Sequence, residues 1–459
     1  MTRGTLIMGV LALLSAVGAY SMRPVELPPP TYEDTGEPLF PEFTDPNVAT
    51  SLEVKEYDED GAQLMSFSVK LMDGQWVIPS HNNYPADGTE QMGKAAASFI
   101  RVNKDVVRSD SPADHAEFGV VDPEDDTAAK GARGRRVTIM DASGTTLVDV
   151  IIGADVGDRQ GFKFVRYPGQ NRVYAVAIDP QVSTRFTDWI EADLLDINAD
   201  DIVAVLSNSY SVEDGTDPNT GQKATRLVND NPLYFEFEDS GAFGGDGMPA
   251  SEWVLTAPPV FGPDGQRLDP DSWTGEGPFP SVAPPIPDGK IVNPTKVKQT
   301  VGAAARMKIV GVRPRAQRLD PFELQAKGFF LVGEAPRFSL LGDQGEVHLY
   351  ARDGVVYTLF FGEVTYATGE ALTAGSGDQA LDEQEQVENA RANRYMFVNV
   401  SYDPRRDQAR DEPPALGEVR GQARAEQLNQ RFSKWYYVIP DSSFTQVHKL
   451  PADFFKDAT

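Results

Sequence analysis

The 459-residue chain contains four histidines, His81, His115, His348 and His448, and no cysteine. A catalytic zinc needs three protein ligands and an open position. No two of these histidines stand four apart or near one another, so each reads as an ordinary surface or turn residue. The lack of cysteine removes disulfides, thiolate nucleophiles, cysteine-ligated zinc and iron–sulfur clusters. Serine nucleophiles lack their context too. There is no G-x-S-x-G and no S-x-x-K, and Ser376 in "AGSGD" sits in linker-like composition. The phosphate-cradling G-x-x-x-x-G-K-[ST] loop is also missing.

Carboxylates are the abundant chemical groups. They run in clusters: Asp122 to Asp126 in "DPEDD", Asp196 to Asp201 in "DINADD", and Asp214 to Asp217 in "DGTD". None has the D-x-[DN]-x-[DN]-G-x₅-E spacing of a calcium loop. The basic knot "KGARGRR", Lys130 to Arg136, reads as a solvated loop, with contact to an acidic partner or a membrane phosphate surface as the alternative. Trp76 and Trp253 sit at matching places in two strands and read as core. Catalytic, cofactor-binding and metal-binding residues are therefore assigned as none, and the protein is not expected to be an enzyme.

The net charge of −27 opposes binding to nucleic acid phosphates and favours basic protein surfaces or divalent cations. Hydrophobic residues make up 40% and aromatics 10%, enough for packed cores rather than a disordered chain.

The elements that would carry such a surface are legible from the N-terminus onward. Between Arg3 and Arg23 lie nineteen uncharged residues, about 28 Å as a helix. Residues 1–22 are expected to be a membrane anchor with the body outside the cytoplasm. A cleaved signal peptide ending near Val17-Gly18-Ala19 is the alternative, and a buried core helix a third reading. Residues 23–48 carry seven prolines between Pro24 and Pro46 and read as a semi-stiff stalk.

From residue 49 three short strands lead to a helix. Asp87 and Glu90 are placed for a capping box, and Met92, Ala95, Ala96, Phe99 and Ile100 for one apolar face. Hairpins turning at Ser143-Gly144 and Pro168-Gly169 follow, then a short helix in "DWIEADLLD". The same order returns after residue 200. Asn293-Pro294 opens the second helix, whose apolar face is Val297, Val301, Ala304 and Ala305. Pro85 and Pro294 differ by 209 positions, as do Gly93 and Gly302, and Val137 and Val347 differ by 210. The expected fold class is α+β: two tandem duplicated domains, 49–200 and 201–459, each an antiparallel sheet plus one amphipathic helix. Insertions in the second are placed near 257–288, 369–394 and 403–433.

Trp76, Pro85-Ala86-Asp87, Phe118-Gly119 with Pro123, Gly153, Val173-Tyr174 and Trp189 carry a resemblance. Over about residues 49–200 the chain resembles the domain-of-unknown-function 4340 family of bacterial envelope proteins. A second, weaker copy lacks the Pro-Ala-Asp triplet. The resemblance implies an N-terminal anchor and an envelope α+β domain, in some members beside ABC-type export systems, with no catalytic residues to carry over. The expected function is a non-catalytic accessory protein of an envelope transport or surface-assembly complex. It would sit in the cytoplasmic membrane by a single pass and contact transporter permease or related membrane proteins. The alternatives are a glycan- or cation-binding module and a carboxylate-based hydrolase.

Overall fold

The computed structural model describes residues 34–59, 62–191, 193–216, 223–243, 249–259, 283–316, 320–334, 337–365, 392–409 and 415–458. The expected anchor, the first part of the stalk, Ser376 and most of the first two insertions lie outside the described residues. Among the described residues no helix is long and apolar enough to cross a membrane.

Nine strands form the first sheet: β1 Ala49–Asp58, β2 Gln63–Met72, β3 Gln75–Ile78, β4 Tyr84–Pro85, β5 Val106–Ser109, β6 Arg135–Asp141, β7 Thr146–Asp155, β8 Phe162–Arg166 and β9 Val173–Ala177. Their order across the sheet is β4-β3-β2-β1-β6-β7-β8-β9-β5. Helix α1, Thr89–Ala97, falls between β4 and β5. The chain then continues through β10 Ile202–Asn208, β11 Ser211–Thr216, β12 Lys223–Val228, β13 Leu233–Phe243, β14 Pro249–Thr256 and β15 Lys290–Val292. Helix α2, Pro294–Ala305, precedes β16 Gly311–Pro314, and α3, Pro321–Ala326, precedes the hairpin β17 Phe329–Glu334 and β18 Arg337–Gly342. Strands β19 Glu346–Ala351, β20 Asp353–Thr365 and β21 Asn393–Asp407 follow. Helix α4 Gly421–Phe432, β22 Trp435–Pro440, helix α5 Asp441–Val447 and β23 Phe455–Asp457 complete the chain.

The second sheet has eight strands in the order β14-β13-β10-β19-β20-β21-β22-β16. Taken from β3, the first sheet reads β3-β2-β1-β6-β7-β8-β9-β5. Matching strands by chain order, the two sequences of neighbours are the same. In each, a helix precedes the last edge strand: α1 before β5 and α2 before β16. The fold is thus mostly antiparallel β with few helices, built on two large sheets, rather than a balanced α+β mixture.

The chain divides into two compact units, one of Met1–Val48, Lys55–Leu64 and Ala96–Gln181, the other of Ala49–Val54, Met65–Ala95 and Val182–Thr459. In the first, alternation sets the core at Val137 and Ile139 of β6 and at Val148 and Val150 of β7, and β7 then continues with Ile151 and Ile152 buried on both faces. The last third of the expected stalk also belongs to this core. Leu39, Phe40 and Phe43 are buried, and Leu39 N–H donates to Val102 O at 2.6 Å. The sequence "PLFPEF" places its apolar residues between prolines, and they pack instead of standing in solvent.

In the second unit β20 is buried on both faces. Successive side chains point to opposite sides of a sheet. Phe361 packs edge-on against Phe444 of α5, whereas Phe360 meets Phe397 in a cluster with Phe329 and Tyr436. That double cover explains the run "VVYTLFF", apolar but for Thr358.

Local expectations hold in part. Asp73 and Gly74 both adopt positive φ, 50° and 80°, as a two-residue hairpin turn between β2 and β3 requires. Asn293 caps α2 by accepting from Lys296 N–H at 3.3 Å, with Pro294 in the first turn. The capping box expected at α1 does not form. Asp87 N–H donates to Trp189 O at 2.8 Å, and Glu90 pairs with Lys94 at 2.6 Å. "DWIEADLLD" is not a helix beyond a short turn at Phe186–Asp188. Its carbonyls bond outward, Trp189 O to Asp87 N–H and Asp193 O to Arg431. "SVEDG" does not end β10 but forms β11, paired with β12. The expected insertion at 403–433 contains the end of β21 and helix α4, which buries Ala425, Leu428 and Phe432.

Gly153 explains one of the motif positions. A Cβ there would lie 2.3 Å from Phe118 O and 2.6 Å from Val120 Cγ1. Gly153→Ala should therefore cost about 1–3 kcal/mol in urea unfolding. Gly157→Ala, where a Cβ meets nothing within 4 Å, should stay within about 0.5 kcal/mol. Equal costs at the two positions would refute the close-approach explanation.

Candidate functional site

The second unit holds a polar cleft of about 780 Å³. Three segments build it. The irregular stretch 193–201 supplies Asp193, Asp196 and Asp201, the β19–β20 turn supplies Arg352 and Asp353, and the approach to α4 and its first turn supply Glu418, Arg420 and Arg424. Arg306, just after α2, completes the cationic side.

Asp353 is the hub. It is 6% exposed, and Arg424 Nη1 donates to its Oδ2 at 3.0 Å. The same oxygen accepts Gly421 N–H at 3.4 Å, and Oδ1 accepts Val355 N–H at 3.3 Å. Arg424 Nη2 continues to the Tyr357 hydroxyl at 3.1 Å and to Asp196 O at 2.5 Å. Arg431, two helical turns further along α4, donates to Asp193 O at 3.4 Å. One face of α4 therefore pins the 193–196 backbone. Asp353-Gly354 takes this shape because Gly354, at φ 77°, lets the chain turn hard against Asp403 O, 2.7 Å from where a Cβ would sit.

The remaining cleft carboxylates are partly committed. Glu418 lies 3.5 Å from Arg420 Nε and accepts Ala415 N–H. Burial, with the Asp196 and Glu191 charges nearby, pushes the Asp193 carboxyl above its usual range. The cleft holds arginine forks and carboxylates but no histidine, serine or lysine beside them. Among the described residues no group of three or more His, Asp or Glu could hold a metal ion. The arrangement is a largely charge-compensated polar surface.

Of the other sequence-derived candidates, the 196–201 run contributes to the lining of this cleft. The 122–126 run is engaged locally: Asp122 and Glu124 face Arg136, Glu124 also pairs with Lys55 at 2.7 Å, and Asp125 accepts from Thr127. The Lys130 to Arg136 knot is neutralised by the fold. Arg133 stacks over Tyr57 at 3.9 Å and pairs with Glu59, Arg135 pairs with Glu56, and Arg136 grips Asp149 with two 2.9 Å bonds. Asp217 and the Asp214 side chain lie outside the described residues. Trp253 is buried at 6% exposure, whereas Trp76 is half-buried over Gly88.

The histidines correct the surface reading. His115 does lie outward and bonds Asn171 O at 2.8 Å. His81 is 3% exposed, stacked on Phe186 at 4.8 Å and edge-on to Phe67. His448 stacks on Phe444 at 4.6 Å, and His348 lies 3.2 Å from Glu346. For His81 the stacking partner is distant in sequence, whereas Phe444 stands only four residues before His448. Arg424, Arg431 and Asp353 were also missed. The only local sign was the spacing of arginines through "RGQARAEQLNQRF".

Burial, reinforced by the Arg313 charge, pushes the His81 pKa down to about 4 from 6.5. A depressed folded pKa means the unfolded chain takes up the proton first as pH falls. The neutral ring's contribution is thus complete above pH 6.5 and is lost as pH falls through about 4. His81→Phe should flatten the loss of stability between those limits, read from urea midpoints across pH. An unchanged acid slope in the variant would show that His81 is not buried neutral.

No curated protein and no solved structure matches this chain. A family model does. Its match starts at Trp76, at the head of β3, and runs into β13, so it takes in Pro85-Ala86-Asp87, Gly153, Trp189 and the 193–201 wall of the cleft. Residues 76–238 match the family model described as Domain of unknown function (DUF4340).

Proposed function

We propose that this protein is a non-catalytic accessory component of an envelope transport or surface-assembly complex, tethered by residues 1–22 and acting outside the cytoplasm through its folded body. The observation that carries the reading is the cleft around Asp353. Its buried carboxylate and the guanidinium facing it are spent on each other and on the backbone of 193–196. Such a lattice gives shape and charge pattern to a docking face and commits Asp353 and Arg424 to structure.

The shared strand order of the two sheets supports internal duplication, with the boundary near Asp200 at the Ala199–Asp201 turn. A duplicated body on a membrane tether presents two similar faces, which suits bridging of membrane subunits. The resemblance to DUF4340 envelope proteins points to partners of the transporter permease class. The glycan-platform alternative loses support from Trp253, which is buried.

Affinity capture of a C-terminally tagged full-length chain from detergent-solubilised membranes tests the proposal. Permease and ATPase subunits in stoichiometric amount are expected. A chain that elutes alone and leaves no crosslinked membrane partner would overturn it.

A further inference from the structure

A second cleft of about 630 Å³ lies between α2 and α5 in the same unit. Its composition runs against that of the chain. The protein has 69 acidic residues to 42 Lys and Arg, yet four of the nine lining residues, Lys296, Arg306, Lys308 and Lys449, are cations and none is acidic. Lys296, Thr300 and Ala303 recur at helical spacing on one face of α2, while Ser443 and Gln446 come from α5.

Two further observations mark the cleft as built for something. Thr300 is 1% exposed, lines the cleft, and its hydroxyl finds no hydrogen-bond partner among the described residues. A buried hydroxyl without a partner is costly unless a ligand supplies one. Lys449 is half-buried, and its Nζ donates to Thr445 O, with no carboxylate in the lining to pair with it. Burial, and then the Lys296 charge, lower its pKa. Asp453, the carboxylate it senses, is outside the lining and accepts Leu450 N–H at 3.0 Å. Lys296, Arg306 and Lys308 form no ion pair among the described residues.

We infer that this cleft binds a phosphate-bearing anion, held by Lys296, Lys449 and Arg306 and oriented by the Thr300 and Ser443 hydroxyls. A phosphate group has the acceptor oxygens and compact negative charge that this donor set matches. The volume admits a phosphate ester rather than the bare ion alone. The inference does not depend on the accessory role proposed above.

The test is calorimetric titration of the full chain, in a zwitterionic detergent at low salt, with inorganic pyrophosphate. Saturable 1:1 binding that weakens as salt rises is expected. Lys296→Gln combined with Lys449→Gln should weaken it by at least about tenfold. Both lysines are on the cleft surface, so the thermal melt of the double variant should match wild type. Thr300→Val should weaken binding by about threefold while leaving the melt unchanged or raised, because it deletes an unpartnered buried hydroxyl. Repeating the titration in nanodiscs of phosphatidylcholine with and without phosphatidylglycerol separates the sources. Lost pyrophosphate binding in the anionic discs assigns a lipid headgroup, and retained binding a soluble phosphate. No saturable binding at low salt, or binding that the double lysine variant leaves intact, would overturn the inference.

Discussion

The ion pair between Asp353 and Arg424 is the interaction on which the rest of the second unit's cleft depends. The side chains are 8% and 19% exposed, respectively, and meet at 3.0 Å. A buried charge pair is tolerated when hydrogen bonds satisfy both partners, and here they do. Asp353 accepts two backbone N–H groups besides the guanidinium, and Arg424 reaches Tyr357 and the Asp196 carbonyl. Those bonds join the turn between two central strands, the start of α4 and the 193–201 stretch. With the pair removed, Arg431 is the remaining side chain of α4 among the described residues that bonds the 193–196 backbone.

The two sheets show a plan that is simple in physical terms. Each grows by antiparallel neighbours, and each adds its last edge strand only after a helix. Short connections between sequence neighbours make such meanders easy to form. The sheets differ in how they are covered. β6 of the first alternates buried and more open positions, whereas β20 of the second is covered by α5 on one side and an aromatic cluster on the other. The second sheet's extra elements, α4 and the β17–β18 hairpin, contribute to that cover.

How much of this the sequence showed follows from the range of the forces involved. Turns with Asp-Gly or Asn-Pro signals are set by local backbone geometry, and Asp73-Gly74 and Asn293-Pro294 behave as their residue types dictate. The order of strands was readable because alternation and spacing repeat. The helix expected in "DWIEADLLD" fails because tertiary partners, Asp87 N–H and Arg431, take its carbonyls. His81 is buried by Phe186, more than a hundred residues away, which no window of sequence contains. The candidate cleft is legible only in its 196–201 carboxylates. Their arginine partners come from a region whose charge and proline content suggested a loop, yet Ala425, Leu428 and Phe432 give it a packed helical face.

The central claim is that the cleft's charges form a structural lattice organised by one pair. A double-mutant cycle on Asp353→Asn and Arg424→Met, followed by urea unfolding, addresses it most directly. Each single change should cost about 3 kcal/mol, because each strands a buried partner. The double variant should fall short of the sum by at least about 1.5 kcal/mol. Additive single costs, each under about 0.5 kcal/mol, would mean a solvated pair that organises nothing, and would contradict the account.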